Sequence, residues 1–337
     1  MAITSEKAVA LRRSWMMSDL GVAPVRRLNS RGRPAPHMSL QFDSHLFSID
    51  TSRSPSGCAQ PDAYLITHAH SDHYGASGML SPRSVASVET ARALEIRHKR
   101  RYMGRTFEVG EQIEVNGVKI KTYPTAHAPG STAFFWENEV GCKILVTGDV
   151  KEYRYLPSSD LLVTEANYGD PLDPECRFDD DIAGFEEALR ASATFGAYAF
   201  GKAQRAVSLM RAMGYSGEIG MDEQCLALTS ELLKGAGPFI DWRENIFGVN
   251  VVTPASLQWI ASRNKFLLTG RSNISYPKIR LSDHLDFRGL LRMIDHVSPS
   301  ATVVYHPEGS RADSLARHLR GCGMSAVSVS QIEKVLR

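Results

Sequence analysis

The chain has 337 residues, 43% of them hydrophobic and 23% charged, with a formal net charge of only +2. That length supports one large domain or two medium ones around a sizeable core, and the composition is that of an ordinary globular protein. A net charge so close to zero means that any basic footprint for a polyanion must be local. The five cysteines, Cys58, Cys142, Cys176, Cys225 and Cys322, are odd in number and widely spaced. This argues against a disulfide framework or a cysteine zinc knuckle and suits a reducing, cytoplasmic setting. No apolar run approaches the roughly 18 residues of a membrane span, and the start lacks a secretory pattern.

Residues 1–37 read as a flexible basic extension or tag, rich in Arg12, Arg13, Arg26, Arg27, Arg31 and Arg33, with RGRPAP as a linker. A basic arm that binds nucleic acid is the sharper alternative. Folded structure is expected from near Met38. Short apolar runs then predict strands at 63–67, 118–124, 132–136, 143–149 and 161–166, with a helix over 87–100. The character changes after Gly169. Helices are predicted at 178–193, 203–214 and 222–235, and strands at 247–253 and 264–270. A helix at 283–297, a strand at 301–307 and a helix at 310–321 follow. The middle section reads as a small α/β insertion.

The strongest chemical signal is THAHSDHYG at 67–75, directly after the strand AYLIT. In extended backbone, side chains at i and i+2 share a face, so His68 and His70 can grip one ion. Asp72 and His73 fall where the chain turns and can face a second. Imidazole and carboxylate ligands suit zinc, manganese or iron rather than a thiolate site. One hexapeptide cannot close two coordination shells, so further ligands are sought at other strand ends. His127 follows the strand 118–124, with Gly130 and Ser131 turning the chain. Asp149 follows KILVT, where Gly148 permits close approach and a carboxylate can bridge two metals. His284 lies in SDHLDF, at an expected helix start. A lone histidine is usually structural; in this order after HAHSDH, the residues reinforce one another.

The order HAHSDH, His127, Asp149 and a late histidine resembles the metallo-β-lactamase superfamily. The resemblance implies an αββα sandwich with two zinc ions at one edge, manganese and iron being the other metals that such ligands accept. It implies that His68, His70 and His127 hold the first ion, that Asp72, His73 and His284 hold the second, and that Asp149 bridges them. Asp50 matches an acid that orients the metal loop from behind the ligands. Glu165 in TEANYGDP, His284 in SDHLDF and His306 in VVYHPEG resemble motifs A, B and C of the β-CASP nucleases. FGKAQRA at 200–206 is similar to a stretch of compact ligase-associated DNA exonucleases and of archaeal exonucleases for RNA processing. The resemblance implies a lactamase domain at 38–168, completed at 271–337, with a compact β-CASP insertion at 169–270 that is shorter than the family's usual one.

The function so implied is two-metal hydrolysis of phosphodiester bonds in DNA or RNA, by an exonuclease on single strands in DNA repair or RNA processing. Partners from those pathways follow from the same resemblance, and a membrane partner does not. Asp72 or Asp149 would take the proton from the attacking water. His306 would hydrogen-bond the phosphate or protonate the leaving oxygen, and Glu165 would orient His306 or a metal histidine. Lys202 and Arg205, in the first turn of an expected helix, make a phosphate cradle with its N–H groups, and Arg271 lies near His284. The basic run 97–105, with Tyr102 inside it, is a second candidate track for phosphates. The rival functions are a small-molecule metallohydrolase of thioesterase or lactonase type, and a non-catalytic nucleic-acid-binding scaffold.

Overall fold

The structure is a computed structural model that describes residues 19–28, 33–53, 55–73, 77–271, 274–305, 309–332 and 335–336. A first sheet contains β1 (Val22–Leu28), β2 (Pro34–Phe42), β3 (His45–Ile49), β4 (Ala63–Leu65), β5 (Ser84–Ser87) and β6 (Arg105–Phe107). A second contains β7 (Gln112–Val115), β8 (Val118–Pro124), β9 (Thr132–Glu137), β10 (Lys143–Val146) and β11 (Leu161–Glu165). A third contains β12 (Thr194–Gly196), β13 (Ile219–Met221), β14 (Phe239–Asp241), β15 (Asn250–Val252), β16 (Lys265–Thr269) and β17 (Lys278–Arg280). The chain then returns to the second sheet with β18 (Ala301–Tyr305) and β19 (Ala326–Ser328), and to the first with β20 (Val335–Leu336). The helices are α1 (Val88–His98), α2 (Ile182–Arg190), α3 (Lys202–Ala212), α4 (Glu223–Leu232), α5 (Pro254–Leu257), α6 (Phe287–Val297) and α7 (Arg311–Gly321).

The first two sheets face each other because alternate residues of their strands are apolar on the same side. Phe42, Phe47 and Leu65 of the first meet Phe134, Trp136 and Val163 of the second in one buried cluster. The intervening residues of the second sheet, Ala133, Leu145, Leu162 and Val304, point the other way. There they meet Leu290, Ile294 and Val297 of α6 and Leu315 and Leu319 of α7. Burial on both faces explains why these strands read as unbroken apolar runs rather than alternations. Each fully buried large side chain contributes about 1.5–3 kcal/mol. On the far side of the first sheet, Ile66 and Ala86 pack with Ala91 and Leu94 of α1. The layers therefore run helix, sheet, sheet, helix. The mixed α/β architecture agrees with the expected fold class and is consistent with a metallo-β-lactamase fold.

Two strand directions matter for the site. Strand β9 is antiparallel to both β8 and β10, while β10, β11 and β18 are mutually parallel. The carboxyl ends of β8, β10, β11 and β18 therefore share one edge of the second sheet. The third sheet is parallel at every pairing.

The structure departs from the sequence reading at three places. Residues 22–28 are not an arm: β1 pairs with β2 in the first sheet, and Arg27 is 2% exposed, donating to Ser48 Oγ and the Ala59 carbonyl at 2.7 Å each. The arginines masked the Val22–Val25 pattern beneath them. The helix expected from 178 begins at Ile182, where the Asp181 side chain accepts from Gly184 N at 2.9 Å; Asp180 is engaged elsewhere. The helix expected from 283 begins at Phe287, capped by Asp286 on Gly289 N at 2.8 Å, so His284 lies in a loop. No helix among the described residues is long and apolar enough to cross a membrane.

Candidate metal centre

The metal loop leaves β4 with Ile66 buried and Thr67 turned inward. Asp50, at the end of β3, accepts from Thr67 N at 2.8 Å and from Thr67 Oγ1 at 2.7 Å. Because the Thr67 hydroxyl donates to Asp50, it can only accept from His68 Nδ1, 3.0 Å away. That fixes the His68 proton on Nδ1 and leaves a bare Nε2 lone pair. The same Asp50 carboxylate accepts from His73 Nδ1 at 3.1 Å, which turns His73 Nε2 toward Asp149. His70 donates Nε2–H to the Phe200 carbonyl at 3.0 Å, and His127 donates Nδ1–H to the Asp283 carbonyl at 2.9 Å. A carbonyl oxygen can only accept, so His70 Nδ1 and His127 Nε2 are both lone pairs, and they face each other at 2.9 Å.

Asp149 lies among these nitrogens. Its Oδ2 is 3.3 Å from His73 Nε2, 3.5 Å from His127 Nε2 and 3.7 Å from His68 Nε2. Donor atoms of His68, His70, His127 and Asp149 lie within 4.8 Å of one another, as do those of Asp149, Glu165 and His284. His68 Nε2, His73 Nε2 and Asp149 Oδ1 are buried and have no hydrogen-bond partner. Lone pairs and a carboxylate pointed at one another, dry and unpaired, repel unless cations lie between them. The residues present therefore fit divalent metal binding.

The titration of the cluster follows from burial and neighbours. Burial pushes the His68 imidazole well below its ordinary value, with His73 and His127 adding to the effect. Burial likewise takes His70 down to about 4. His127 is lowered well below by burial and His284. Burial acts downward on His73 too, but Asp149 and Asp50 override it and hold the ring well above the ordinary value. Burial is overridden in the same way at His284, by Glu165 and Asp149. Asp149 is held well below the carboxylate range: burial pushes it up, and His73, His284 and His127 more than offset that.

Backbone geometry brings the side chains together. Gly148, just before Asp149, has φ +63, and a Cβ there would lie 2.6 Å from Thr67 Cβ and Oγ1. Asp50 (φ 51) and Ala126 (φ 53) adopt the left-handed region beside the candidate ligands, a local cost of order 1–3 kcal/mol that the surrounding contacts hold in place.

Among the other expected site residues, Asp72 belongs to neither close group; it is an exposed carboxylate on the adjoining cleft. Glu165 is 1% exposed, receives Val150 N at 2.6 Å and lies 3.0 Å from His284 Nδ1. Lys202 and Arg205 are held by carboxylates, Lys202 by Asp283 at 3.1 Å and Arg205 by Asp180 at 2.7 Å. Arg271 is exposed on the cleft wall. His306 lies outside the described residues, as do residues 1–18 of the basic extension. In the run 97–105, Tyr102 is buried, Arg105 binds the Glu114 carbonyl, and Arg97 and Lys99 line the cleft.

Sequence reasoning missed His37. It is 4% exposed, its ring centroid 5.4 Å from that of His73, and it contacts the Asp72 carbonyl through Nε2. It lies in the stretch read as extension, and only its place in β2 reveals it. Thr67, Phe200, Lys151 and Asp180 were also missed, because a relaying hydroxyl, a backbone carbonyl and salt-bridge partners leave no spacing signature.

The cleft over the centre has a volume of about 1070 Å³ and is lined by His70, Asp149 and His284 together with Arg97, Lys99 and Arg271.

Residues 59–198 match the family model of the metallo-beta-lactamase superfamily. That span contains the metal loop, His127, Asp149 and Glu165. Together with the His/Asp cluster, the match supports a metal-dependent hydrolase. The chain is 23% identical over 303 residues to a probable DNA ligase of Opitutus terrae, covering 79% of this chain and 28% of that one. It is 27% identical over 139 residues to an RNase J-like protein of Methanocaldococcus jannaschii, covering 33% of each. It is 34% identical over 70 residues to a UPF0173 metal-dependent hydrolase of Methanoculleus marisnigri, covering 21% of this chain and 30% of that one. The chain thus spans about a third or less of the curated relatives it matches. A crystal structure of a protein of unknown function from Enterococcus faecalis V583 superimposes with a TM-score of 0.64 at 12% identity, covering 94% of this chain and 99% of that one. At that identity the likeness concerns the fold alone.

Proposed function

We propose that the chain is a metal-dependent nuclease of β-CASP type that hydrolyses phosphodiester bonds of single-stranded DNA or RNA, with zinc as the metal. The observation that carries this reading is the ring of bare imidazole nitrogens around Asp149 at the floor of a cleft with Arg97, Lys99 and Arg271 on its walls. The relatives named as a probable DNA ligase and an RNase J-like protein support a nucleic-acid substrate. The division into 38–168, an insertion at 169–270 and 271–337 belongs to the same reading.

In this proposal His68, His70 and His127 would hold one ion and Asp72, His73 and His284 a second, with Asp149 serving both. Cations bound there would polarise the phosphoryl oxygens and acidify water. The protein's own groups do the remaining work. The exposed Asp72 carboxylate takes the proton of the attacking water. Arg271 receives a phosphate oxygen at the cleft wall. Glu165 and Asp50 hold His284 and His73 by their Nδ1–H groups, so that each ring presents its other nitrogen. His306, by resemblance, protonates the leaving oxygen.

The test is metal analysis of the purified chain together with a time course on 5′-labelled single-stranded DNA and RNA, with Asp149→Asn as the blank. Metal-loaded protein that leaves both polymers intact would remove the nuclease reading. A second reading, hydrolysis of a small ester or lactone, is favoured by the match to a metal-dependent hydrolase over 70 residues. Thioester and lactone substrates in the same assay separate the two.

A further inference from the structure

Two carboxylates beside the candidate metal centre, the buried Asp283 and the half-buried Asp180, hold three cations. Asp283, immediately before His284, is 4% exposed. Lys202 Nζ lies 3.1 Å from its Oδ2 and donates to the Leu281 carbonyl at 2.9 Å. Arg205 donates Nη2–H to Asp180 Oδ2 at 2.7 Å and Nη1–H to the Ser282 carbonyl, with Asp283 Oδ1 3.7 Å away. Lys151, two residues past Asp149, donates to the same Asp180 oxygen at 2.7 Å. Asp180 Oδ1 in turn accepts from Ser282 N at 2.8 Å. Residues 281, 282 and 283 are thus gripped in succession by side chains from two other segments, Asp180 and the stretch 202–205, with Lys151 bracing Asp180.

We propose that this clasp, centred on Lys202 and Asp283, positions the metal centre, and that Lys202 and Arg205 serve it rather than the substrate phosphate. The inference rests on the metal-binding reading above. The gripped segment carries His284 and presents the Asp283 carbonyl that fixes the His127 proton on Nδ1. The same α3 entry acts on the other side of the centre. The Phe200 carbonyl, two residues before Lys202, fixes His70, and a Cβ at Gly201 would sit 3.2 Å from His70 Cε1. One short stretch of chain, 200–205, therefore sets the tautomers of two candidate ligands and the place of a third. Buried ion pairs often add little stability beyond what offsets their desolvation. Ion pairs and directed hydrogen bonds fix position, which the lone pairs of the centre require. Lys202 is 6% exposed with its ammonium already committed, which leaves it a poor phosphate ligand.

The experiment compares wild type, Lys202→Met, Asp283→Asn and the double variant, each checked for folding by circular dichroism. Zinc affinity is read by competition with a chromophoric chelator, and ligand geometry by the visible bands of the cobalt(II)-loaded protein. The expected result is zinc binding about tenfold or more weaker in each single variant. The double variant should lose no more than the worse single one, because both changes remove the same contact, and the cobalt bands should shift. Lys202→Gln replaces Lys202→Met if the latter does not fold. Normal zinc affinity and cobalt bands in the folded variants would overturn the clasp. So would a Lys202 variant in which only the KM for a polynucleotide rises, since that marks a phosphate contact. Wild-type protein that takes up no metal would remove the metal-binding reading itself, an outcome distinct from both.

Discussion

Glu165 Oε2 lies 3.0 Å from Nδ1 of His284, a residue 119 positions further along the chain. Glu165 ends β11 and His284 sits in the loop before α6, so two distant segments meet at one hydrogen bond. Replacing Glu165 by Gln keeps the shape but removes the charge that orients the ring and raises its basicity. Zinc affinity and turnover should each fall about 10–100-fold. Equilibrium dialysis against buffered zinc checks this, and an unchanged dissociation constant would show that His284 needs no such partner.

Asp180 makes stability depend on acid. Burial pushes its carboxyl up, but Arg205 and Lys151 override that and hold it below the ordinary value. A carboxylate whose value is lowered by folding stabilises fully above its unfolded value, about 4, and that contribution is lost as pH falls through the folded value. Asp180→Asn should therefore lower the urea midpoint at pH 7 and narrow its gap from wild type below about pH 4. A gap of constant size across that range would sink the assignment.

Gly148→Ala should be costly for its size. The position has φ +63, and the added methyl would meet Thr67, the residue that relays Asp50 to His68. A loss of about 1–3 kcal/mol is expected from the backbone alone, together with weakened metal binding as Thr67 is displaced. Thermal unfolding of the variant with and without zinc reads both effects.

Metal removal should destabilise as well as inactivate. Cations that bind only the folded centre add about 2.7 kcal/mol when present at a hundred times their dissociation constant. Unfolding followed in chelator and in buffered zinc should show that difference. It should shrink in Asp149→Asn, whose amide carries no charge to offset a cation's.

The His/Asp cluster was legible in the sequence because its members lie at strand ends, where apolar runs announce the strand and His or Asp interrupts it. HAHSDH, His127 and Asp149 each follow such a run, and the layered architecture follows from the same runs. The positions of helix starts were less legible. Asp179, Asp180 and Asp181 look alike in sequence, yet Asp181 caps α2 while Asp180 is drawn to Lys151 and Arg205. His37 and Arg27 were hidden for the opposite reason: charged and turn-forming neighbours made β1 and the start of β2 resemble a tail. Lys202 drew a phosphate reading because a glycine before a basic helix start commonly binds anions; nothing local discloses that Asp283, eighty-one positions later in sequence, already neutralises it.

The parallel third sheet has one further consequence. The segments just past the carboxyl ends of β12, β15 and β16 supply Tyr198, Thr253 and Gly270 to the cleft, the edge where ligands of open parallel sheets gather. Strand β12 is central, with β15 on one side and β16 on the other. Turns at that rim can be exchanged while the buried rows beneath them stay fixed. Evolution, or an engineer, can thus retune what enters the crevice by rewriting a few tips, leaving the His/Asp cluster as it stands.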